Sequence, residues 1–336
     1  MKLMCELSKE HTRLPGAEVL ASLKAEQIDA TLISSNEDVL IVEANPSDTE
    51  IRRLAKRLAL TFVIDELLFS CPARMDEILH TAKKHPLPYE GSLAIRCKNR
   101  SSHIRSTQLI DRLGDIYTKN RTVDLTNPDL EVRVIVTKDI AYLGIKKTEI
   151  ATSQFHQRRG HLRPFLSPIT LHPKIARALV NLSQVKKHQI LLDPFCGTGG
   201  ILLEAGFLGA RIIGSDVEQK MIEGSQQNLE FYHLKNFQLY CTDVGEISRY
   251  VPSVDAIVTD FPYARATTTK GEQLTQLYTR AFATIAQVLK KNKYAVVGLS
   301  SKDICAIGEQ YLSVMETYSV KSHRSLTRYF IVYQRM

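Results

Sequence analysis

The sequence predicts an α/β protein whose C-terminal part is a doubly wound, mainly parallel sheet and whose N-terminal part is α+β. Two observations lead to this fold class. From residue 173 onward, helical segments alternate with short apolar strand segments, as in sheets covered by helices on both faces. Over residues 1–70, strands and helices follow the order β-α-β-β-α-β. A chain of 336 residues exceeds an average single core, so we expect two or three domains.

The N-terminal part divides into two predicted domains. Apolar residues three and four apart mark the helices, and short β-rich runs mark the strands. Over residues 1–70 the predicted elements are Lys2–Leu7, Ala17–Gln27, Ala30–Ser34, Val39–Glu43, Thr49–Leu60 and Thr61–Ser70. Their order is that of a ferredoxin-like unit. Over residues 71–150 the predicted elements are Arg74–Lys84, Ser92–Cys97, Thr107–Thr118, Glu131–Thr137 and Ile140–Ile145.

A predicted linker, residues 151–172, joins these domains to the C-terminal part. Its sequence is Arg-rich, contains proline and has no clear period. Residues 173–336 form the predicted Rossmann-like domain. Its predicted strands are Gln189–Leu192, Arg211–Ser215, Phe237–Cys241, Ala256–Thr259 and Tyr294–Leu299.

The net charge of +8 is unevenly distributed along the chain. Residues 51–200 carry 25 basic and 13 acidic side chains, net +12, whereas residues 1–50 have a net charge of −6. A basic middle segment favours a polyphosphate partner, because phosphate contacts supply much of the affinity for nucleic acid. A solvated basic surface is the alternative that charge alone leaves open.

The cysteines and the apolar runs exclude other classes of protein. Six cysteines are scattered without a Cys-x-x-Cys pair, which argues against a zinc site or a disulfide framework and for a reducing cytoplasm. We expect no metal. No apolar run approaches the roughly 20 residues that span a bilayer, and the N-terminus lacks a signal-peptide pattern, so we expect no membrane association.

A glycine-rich segment, Asp193–Gly200, directly follows the apolar run Ile190–Leu192. Ligands of open α/β sheets bind at the carboxyl ends of strands, and glycines let the backbone approach them closely. The helix that follows points its N-terminal amides at the same place. The segment lacks the last glycine of Gly-x-Gly-x-x-Gly, which disfavours a nicotinamide cofactor.

Two acids end the next predicted strands. Asp216 follows Arg211–Ser215 and is placed to accept hydrogen bonds from both ribose hydroxyls of a nucleoside. A helix N-cap is its other role, and the two are compatible. Asp243 is placed to accept from an adenine amino group, although a cap is an equally good interpretation.

The tetrad Asp260-Phe261-Pro262-Tyr263 ends a further predicted strand. An exocyclic amine on a nucleobase is a poor nucleophile, because its lone pair is delocalised into the ring. A carboxylate and a backbone carbonyl that accept its two N–H groups favour attack and absorb developing positive charge. Tyr263 is suited to stack on a base drawn out of its helix, and Pro262 fixes the turn. The alternative is a strand-ending turn with a surface aromatic ring.

Taken together, the chain resembles the tRNA guanosine N2-methyltransferase family of archaeal type, in which a THUMP RNA-binding domain precedes a Rossmann-like methyltransferase domain. The resemblance covers nearly the whole chain. The segments that carry it are Ser92–Lys98, Val123–Asp129, Val132–Val136, Arg163–Phe165, Leu171–Leu182 and Asp193–Gly200. It implies S-adenosylmethionine as cofactor and methylation of a tRNA guanosine at position ten. It also implies the domains 1–70 ferredoxin-like, 71–150 THUMP, 151–172 linker and 173–336 methyltransferase.

The resemblance also assigns roles to single residues. The cofactor-binding set is Thr170, Asp193, Pro194, Phe195, Cys196, Gly197, Thr198, Gly199, Asp216, Val217, Asp243 and Val244. The catalytic set is Asp260, Phe261, Pro262 and Tyr263. From their charge, the basic residues expected to contact RNA phosphates are Arg96, Lys98, Arg100, Arg105, Lys119, Arg121, Arg158, Arg159 and Arg163. A basic face without RNA contact is the alternative for those of residues 71–150, and interdomain contacts are the alternative for the three linker arginines. The sequence departs from the family at Phe261, where proline is usual, and at Ala264, where glycine is common.

Alternatives to this function stay open at this point. The acid-x-Pro-aromatic tetrad also serves adenine N6-methylation, and a non-catalytic tRNA-binding protein is a possibility from another class. The expected partner is tRNA, with a small activating protein subunit as a second candidate. The sequence does not decide between mono- and dimethylation.

Overall fold

The computed structural model describes residues 1–119, 121–166, 170–263, 273–323 and 326–336. Contacts between Cα atoms divide the chain into two compact units. Unit 1 comprises residues 1–12, 28–56 and 61–150, and unit 2 comprises residues 13–27, 57–60 and 151–336. The helices, in chain order, are α1 (Leu14–Ala25), α2 (Asp48–Arg57), α3 (Met75–Lys84), α4 (Ser106–Tyr117), α5 (Ser153–His156), α6 (Pro173–Leu182), α7 (Gly200–Phe207), α8 (Gln219–Phe231), α9 (Leu274–Val288) and α10 (Cys305–Glu309).

Unit 1 is built on one sheet with the strand order β2-β3-β1-β4-β7-β6-β5. These strands are β1 (Lys2–Leu7), β2 (Ala30–Ser35), β3 (Val39–Ala44), β4 (Thr61–Pro72), β5 (Leu93–Asn99), β6 (Leu130–Val136) and β7 (Ile140–Glu149). Neighbours are antiparallel apart from β5 and β6, which are parallel. Buried apolar side chains of α3 and α4 join those of β5, β6 and β7 in one core.

A buried ionic group ties three strands of this sheet together. Arg133 on β6 donates to Asp65 on β4 at 2.7 Å and to Glu6 on β1. Burial raises the pKa of Asp65 to about 6 although the Arg133 charge opposes the shift. Removing one member of such a group leaves an uncompensated buried charge, so the group fixes which strands pair.

Unit 2 contains the predicted parallel sheet, with the strand order β10-β9-β8-β11-β12-β14-β13. These strands are β8 (Ile190–Asp193), β9 (Arg211–Asp216), β10 (Phe237–Cys241), β11 (Val254–Asp260), β12 (Leu289–Leu299), β13 (Ser313–His323) and β14 (Leu326–Gln334). The chain runs from β8 outward to β9 and β10, then returns to β11 and β12. The switch point, where ligands of such sheets bind, therefore lies between β8 and β11.

Both faces of this sheet are covered. Alternate residues of one strand point to opposite faces, and accordingly Leu191 belongs to one apolar cluster and Leu192 to the other. α6 and α7 contribute to the first cluster, and α9 contributes Phe282 and Ile285 to the second. The predicted α/β class is thereby confirmed.

α1 belongs to unit 2, although it lies in the predicted ferredoxin-like domain. Its Glu18 is buried and accepts hydrogen bonds from the amides of Ala59 and Leu60 at 2.9 and 2.8 Å, and from Asn181 Nδ2 at 2.7 Å. Burial raises the pKa of Glu18 to about 7. Leu14 joins the same apolar cluster as α6. The predicted boundary at residue 70 falls within β4, so strands from both predicted N-terminal domains share one sheet.

Other differences from the predicted elements are small. Each predicted strand is present with ends shifted by a few residues. The antiparallel pair β13 and β14 was not predicted, and the predicted linker contains the short helix α5. Among the described residues, no helix is long and apolar enough to cross a membrane.

Candidate active site

The glycine-rich segment forms the turn between β8 and α7, as predicted. Asp193 ends β8 with 1% of its surface exposed, and the Phe195 amide donates to its Oδ1 at 3.2 Å. Gly197 and Gly199 adopt left-handed backbone conformations with φ of +48° and +76°. A Cβ on Gly199 would lie 2.5 Å from Ser225 Oγ, whereas one on Gly197 would enter open space. The positive φ favours glycine at both positions. At Gly199 the close approach of Ser225 is a second reason, because it leaves no room for a Cβ.

Asp216 ends β9 and connects two parts of the site. Its Oδ2 accepts from the Gly197 amide at 3.1 Å, and its Oδ1 accepts from the Glu218 amide at 3.0 Å. The first bond holds the glycine-rich turn, and the second caps the segment that leads into α8. Burial raises the pKa of Asp216, and the two amides oppose that shift.

Asp243 follows β10 and is held by Arg280 on α9. Arg280 Nη2 lies 3.3 Å from Asp243 Oδ2, Nη1 bonds Oδ1, and the Gly245 amide donates to Oδ1 at 2.8 Å. A two-pronged arginine contact fixes the plane of a carboxylate. Arg280 was not predicted, because it lies 37 positions from Asp243 in the sequence, on a helix without a motif.

Two further side chains hold the backbone of the same turn. Ser215 Oγ donates to the Pro194 carbonyl at 3.2 Å, and Asn228 Nδ2 donates to the Thr198 carbonyl at 2.9 Å. Cys196 and Val244 are buried, whereas Val217 and Thr170 are partly exposed. Burial raises the pKa of the Cys196 thiol well above its ordinary value, so this cysteine is not a nucleophile at neutral pH.

The tetrad begins at the carboxyl end of β11, next to β8. The Tyr263 hydroxyl donates to Asp260 Oδ1 at 2.5 Å, and Arg328 Nη1 lies 3.6 Å from Asp260 Oδ2. Burial raises the pKa of Asp260, and both neighbours oppose the shift. The Arg328 guanidinium also lies 5.4 Å from the centre of the Tyr263 ring. One partly exposed carboxylate, one phenol and one guanidinium thus form a compact polar group.

The departure at Phe261 has a structural explanation. Its buried ring packs against Phe195 and Phe282 at 5.1 Å and stacks on Tyr278 at 5.3 Å between ring centres. The Tyr278 hydroxyl in turn donates to the Pro262 carbonyl at 2.7 Å. Aromatic packing therefore holds the tetrad where a second proline would have restricted the backbone. Ala264, the other departure, lies outside the described residues.

Two residues of this group were missed from the sequence. Arg328 lies on β14, far from any motif, and comes to Asp260 only because β14 pairs with β12 beside β11. Gly298 on β12 pairs with Asp260, and a Cβ there would lie 2.3 Å from Asp260 Oδ1. A glycine inside a strand is a signal of close approach that the sequence did offer.

The three acids Asp193, Asp216 and Asp260 end the adjacent strands β8, β9 and β11. Burial raises the pKa of Asp193 to about 7, and the charges of Asp260 and Asp216 add to the shift. The predicted cofactor turn and the predicted catalytic tetrad therefore meet at one edge of the sheet. Clustered groups with perturbed pKa values in such a place are typical of a functional site.

The predicted RNA-binding residues divide into three groups. Arg96, Lys98, Arg105 and Lys119 are exposed on unit 1. Arg100 pairs with Asp38 and Glu6, and Arg121 donates to the Tyr89 carbonyl, so both are partly occupied within unit 1. Arg158 and Arg163 are 7% and 4% exposed inside unit 2, and Arg159 is half-buried. Arg158 bonds Glu204, and Arg163 donates to the Arg158 carbonyl, so their role at RNA stays a prediction that their burial does not favour.

Comparison with known proteins identifies the domain families of the chain. Residues 160–329 match the RMKL-like methyltransferase domain family, and residues 72–146 match the THUMP domain family. A tRNA (guanine(10)-N2)-dimethyltransferase from Methanothermobacter thermautotrophicus is 35% identical over the whole of both chains. A Pyrococcus abyssi protein of the same name is 32% identical over 72% of this chain and 74% of its own.

Solved structures show the same fold at lower identity. The crystal structure of TrmN from Thermus thermophilus is 20% identical, with a TM-score of 0.54 over 99% of this chain and all of that chain. A possible methylase from Clostridium difficile is 16% identical, with a TM-score of 0.56 over all of this chain and 98% of that one.

Proposed function

We propose that this chain, which belongs to the family of THUMP-containing tRNA guanine-N2 methyltransferases and is S-adenosylmethionine-dependent, methylates the exocyclic N2 amino group of a guanosine in tRNA. The observation that carries the proposal is the position of Asp260. Its partly exposed carboxylate ends β11, one strand from the Asp193–Gly200 turn, with Tyr263 bonded to it. An acceptor for an amine and a turn for a nucleoside cofactor are thus side by side.

The residues of the turn fit S-adenosylmethionine. A Cβ on Gly197 would enter open space, so the backbone there is accessible to a ligand. Asp216 and Asp243 end neighbouring strands with carboxylates of fixed orientation, suited to ribose hydroxyls and an adenine amino group. When bound, the cofactor supplies an electrophilic methyl group on a sulfonium sulfur.

The chain's own groups overcome the weak nucleophilicity of N2. Asp260 accepts a hydrogen bond from N2 and draws electron density toward the nitrogen as the bond to the methyl carbon forms. On transfer, N2 would gain the methyl group and lose one proton, and the Asp260 carboxylate would receive that proton. Tyr263 offers a ring for stacking on the base.

Asp260 and Arg328 place an acceptor and a donor next to each other. A carboxylate accepts only, and an arginine donates only. Arg328 Nη1 lies 3.6 Å from Asp260 Oδ2. Such a pair is complementary to the edge of guanine and also to that of adenine, so the choice of guanine in this proposal follows the names of the relatives. Arg328 is 6% exposed, and among the described residues its Nε has no hydrogen-bond partner.

Unit 1 supplies the contact with tRNA in this proposal. It contains the THUMP match, and Arg96, Lys98, Arg105 and Lys119 are exposed there. The position in tRNA follows the relatives, which are named for guanine 10. Addition of a second methyl, a small activating protein subunit and a cytoplasmic location are part of the proposal. The six cysteines are free, which suits a reducing compartment.

Substitution of Asp260 tests the proposal. Asp260→Asn keeps the shape of the side chain but replaces one acceptor oxygen by a donor. We expect methyl transfer to fall by about 10²- to 10³-fold, while calorimetric affinities for S-adenosylhomocysteine and tRNA stay within a few-fold. Asp255→Asn is the matched control, because Asp255 lies on the same strand and bonds Lys290 and the Ile190 amide outside the site. Near-normal turnover of Asp260→Asn would contradict the assignment.

A further inference from the structure

An aromatic cluster on the surface of unit 2 lies outside the candidate active site. Phe207, the last residue of α7, and Phe231, the last residue of α8, are 38% and 54% exposed. The ring of Tyr232 contacts both in edge-on geometry, at 5.8 Å from Phe207 and 5.0 Å from Phe231 between ring centres. Single exposed apolar side chains are common, whereas contiguous ones mark interaction surfaces.

Contacts with the preceding segment of the chain hold this cluster in place. The Tyr232 hydroxyl donates to the Gln157 carbonyl at 3.3 Å. The guanidinium of the buried Arg158 lies 4.6 Å from the centre of the Phe207 ring. The rings are thus fixed from one side and open to solvent on the other. A flat ligand that stacks on such rings orders few protein groups, which favours binding.

The cluster lies at the edge of the sheet opposite to the catalytic tetrad. β8, β9, β10 and β11 are parallel, and α7 and α8 end in the loops that precede β9 and β10. These loops meet each other and the loop before β8. The His188 amide donates to the Gly209 carbonyl at 2.8 Å, and the Ile212 amide donates to the Asn236 carbonyl at 3.1 Å. The tetrad instead follows the carboxyl end of β11, so a ligand of the aromatic cluster does not occupy the active site.

The three loops at this edge are basic. Residues 183–189, 206–211 and 232–236 contain lysine, arginine and histidine but no aspartate or glutamate. Glu230, just before the third loop, accepts from Gln226 on the exposed side of α8. The aromatic cluster and the exposed cations of the loops form one surface, called here the edge surface, whose members are Phe207, Phe231, Tyr232, Lys187, Arg211 and Lys235. Positive charge beside exposed rings attracts a polyanion that also carries flat groups.

We propose that the edge surface binds an unpaired segment of RNA. Bases of a single strand stack on aromatic side chains, while lysine and arginine follow the phosphates. In a duplex the faces of the bases are covered by their neighbours, so exposed rings favour a single strand. The inference shares RNA as a partner with the proposed function, but it requires neither the cofactor nor the catalytic tetrad. An acidic peptide would match the charges and leave the rings without a stacking partner.

A single tryptophan tests the proposal, because the chain contains none. Full-length Phe231→Trp would be titrated with an oligouridine of about eight nucleotides, which contains no guanine. We expect the tryptophan fluorescence to be quenched as a base stacks on the ring. Tyr250→Trp is the matched control, since Tyr250 is also 54% exposed and contacts Tyr240 near the carboxyl end of β10. Absence of quenching, or equal quenching in the two variants, would overturn the proposal.

Further substitutions in the Phe231→Trp protein separate stacking from charge. We expect Phe207→Leu to weaken oligouridine binding by about 5- to 100-fold. Lys187→Ala/Arg211→Ala should lower the slope of log affinity against log salt concentration by about 1.4. Lys290→Ala, which removes a partner of Asp255, should change neither quantity. If both substitutions leave binding and slope unchanged, the edge surface is not the RNA site.

Competition identifies the source of the RNA and tests the other class of partner. Displacement of oligouridine by an unmodified tRNA transcript would assign the edge surface to the substrate itself, and simultaneous binding would assign it to a separate RNA. Oligoglutamate that binds as tightly as oligouridine would contradict the proposal and point to an acidic protein. Failure of this inference is distinguishable from failure of the proposed function, because methylation of guanosine in tRNA is measured independently of oligouridine binding.

Discussion

Asp193, Asp216 and Asp260 carry the chemistry of the site at the scale of single residues. Each ends a strand, each is largely buried, and burial raises the pKa of each. The value for Asp193 reaches about 7, so its charge changes in the physiological range. A positively charged ligand favours the ionised form of a nearby carboxylate. The site is therefore suited to a cationic cofactor.

The pH dependence of cofactor binding follows from the shift at Asp193. Below about pH 7 its carboxyl is protonated in the free protein, and above that pH it is charged. We expect the affinity for S-adenosylmethionine to rise between about pH 6 and pH 8, with protons released on binding. Calorimetry in buffers of different ionisation enthalpy measures this release. Asp193→Asn should show less release, and identical release in both proteins would contradict this account.

Arg328 gives a second prediction at this scale. Its charge holds the pKa of Asp260 lower than burial alone would set it. We expect Arg328→Met to lower kcat/KM for tRNA by about tenfold and to shift the acid limb of its pH profile to higher pH. Affinity for S-adenosylhomocysteine should not change. Arg335→Met is the control, since Arg335 directly follows β14 and donates to the carbonyls of Gln287 and Leu289. An unshifted acid limb would show that Arg328 does not set the pKa of Asp260 during catalysis.

Some site residues were predictable from the sequence and others were not. Asp193, Asp216 and Asp260 follow apolar runs, and the carboxyl ends of parallel strands meet at one edge of the sheet. Arg280 and Arg328 join the site through pairings over long sequence separations, for which a single sequence has no local pattern. Arg158 and Arg163 were assigned to RNA from charge alone, which does not distinguish a buried guanidinium from an exposed one.

At the scale of elements, the turn between β8 and α7 links backbone conformation to ligand access. Gly197 and Gly199 both have positive φ, but only Gly199 faces a close neighbour, Ser225. Glycine at position 197 thus leaves open space beside the backbone, whereas glycine at position 199 avoids a clash with Ser225. This difference makes the two glycines a matched pair for mutation.

We predict that Gly199→Ala costs more stability than Gly197→Ala. Both variants strain the backbone by about 1–2 kcal/mol, and Gly199→Ala adds a clash with Ser225 Oγ at 2.5 Å. Gly197→Ala instead places a methyl group in the space assigned to the cofactor, so it should weaken S-adenosylhomocysteine binding despite its milder effect on folding. Urea unfolding and calorimetry separate the two effects. Equal free energies of unfolding would argue against the packing role of Gly199.

The sequence predicted which segments are helices and strands better than it predicted which strands pair. Alternation of helices and apolar strands correctly indicated β8 to β12, since the helices α7, α8 and α9 follow β8, β9 and β11. The antiparallel pair β13 and β14 has no helix between its strands, so the same rule did not reveal it. This omission mattered, because β14 carries Arg328.

At the scale of the whole molecule, sequence order and spatial grouping differ. α1 and residues 57–60 belong to unit 2, where Glu18 accepts from Ala59, Leu60 and Asn181. A fragment beginning near Thr170 would lack these partners of α6. Tests of RNA binding by unit 1 are therefore better made with point substitutions in the full chain than with such a fragment.

Salt dependence tests the basic surface of unit 1. Lys98 and Arg105 are exposed, and each phosphate contact contributes roughly 0.7–0.9 to the slope of log affinity against log salt concentration. We expect the double variant Lys98→Ala/Arg105→Ala to weaken tRNA binding and to reduce this slope by about 1.4–1.8. Lys290→Ala, which removes a partner of Asp255 in unit 2, is the control. An unchanged slope in the double variant would exclude these two residues from the RNA interface.

Identification of the methylated nucleoside would show whether this protein transfers a methyl group to N2 of guanosine in tRNA. The full-length protein would be incubated with isotope-labelled S-adenosylmethionine and unmodified tRNA transcripts, followed by digestion and mass spectrometry of the nucleosides. We expect labelled N2-methylguanosine or N2,N2-dimethylguanosine. Labelled N6-methyladenosine in place of either would contradict it.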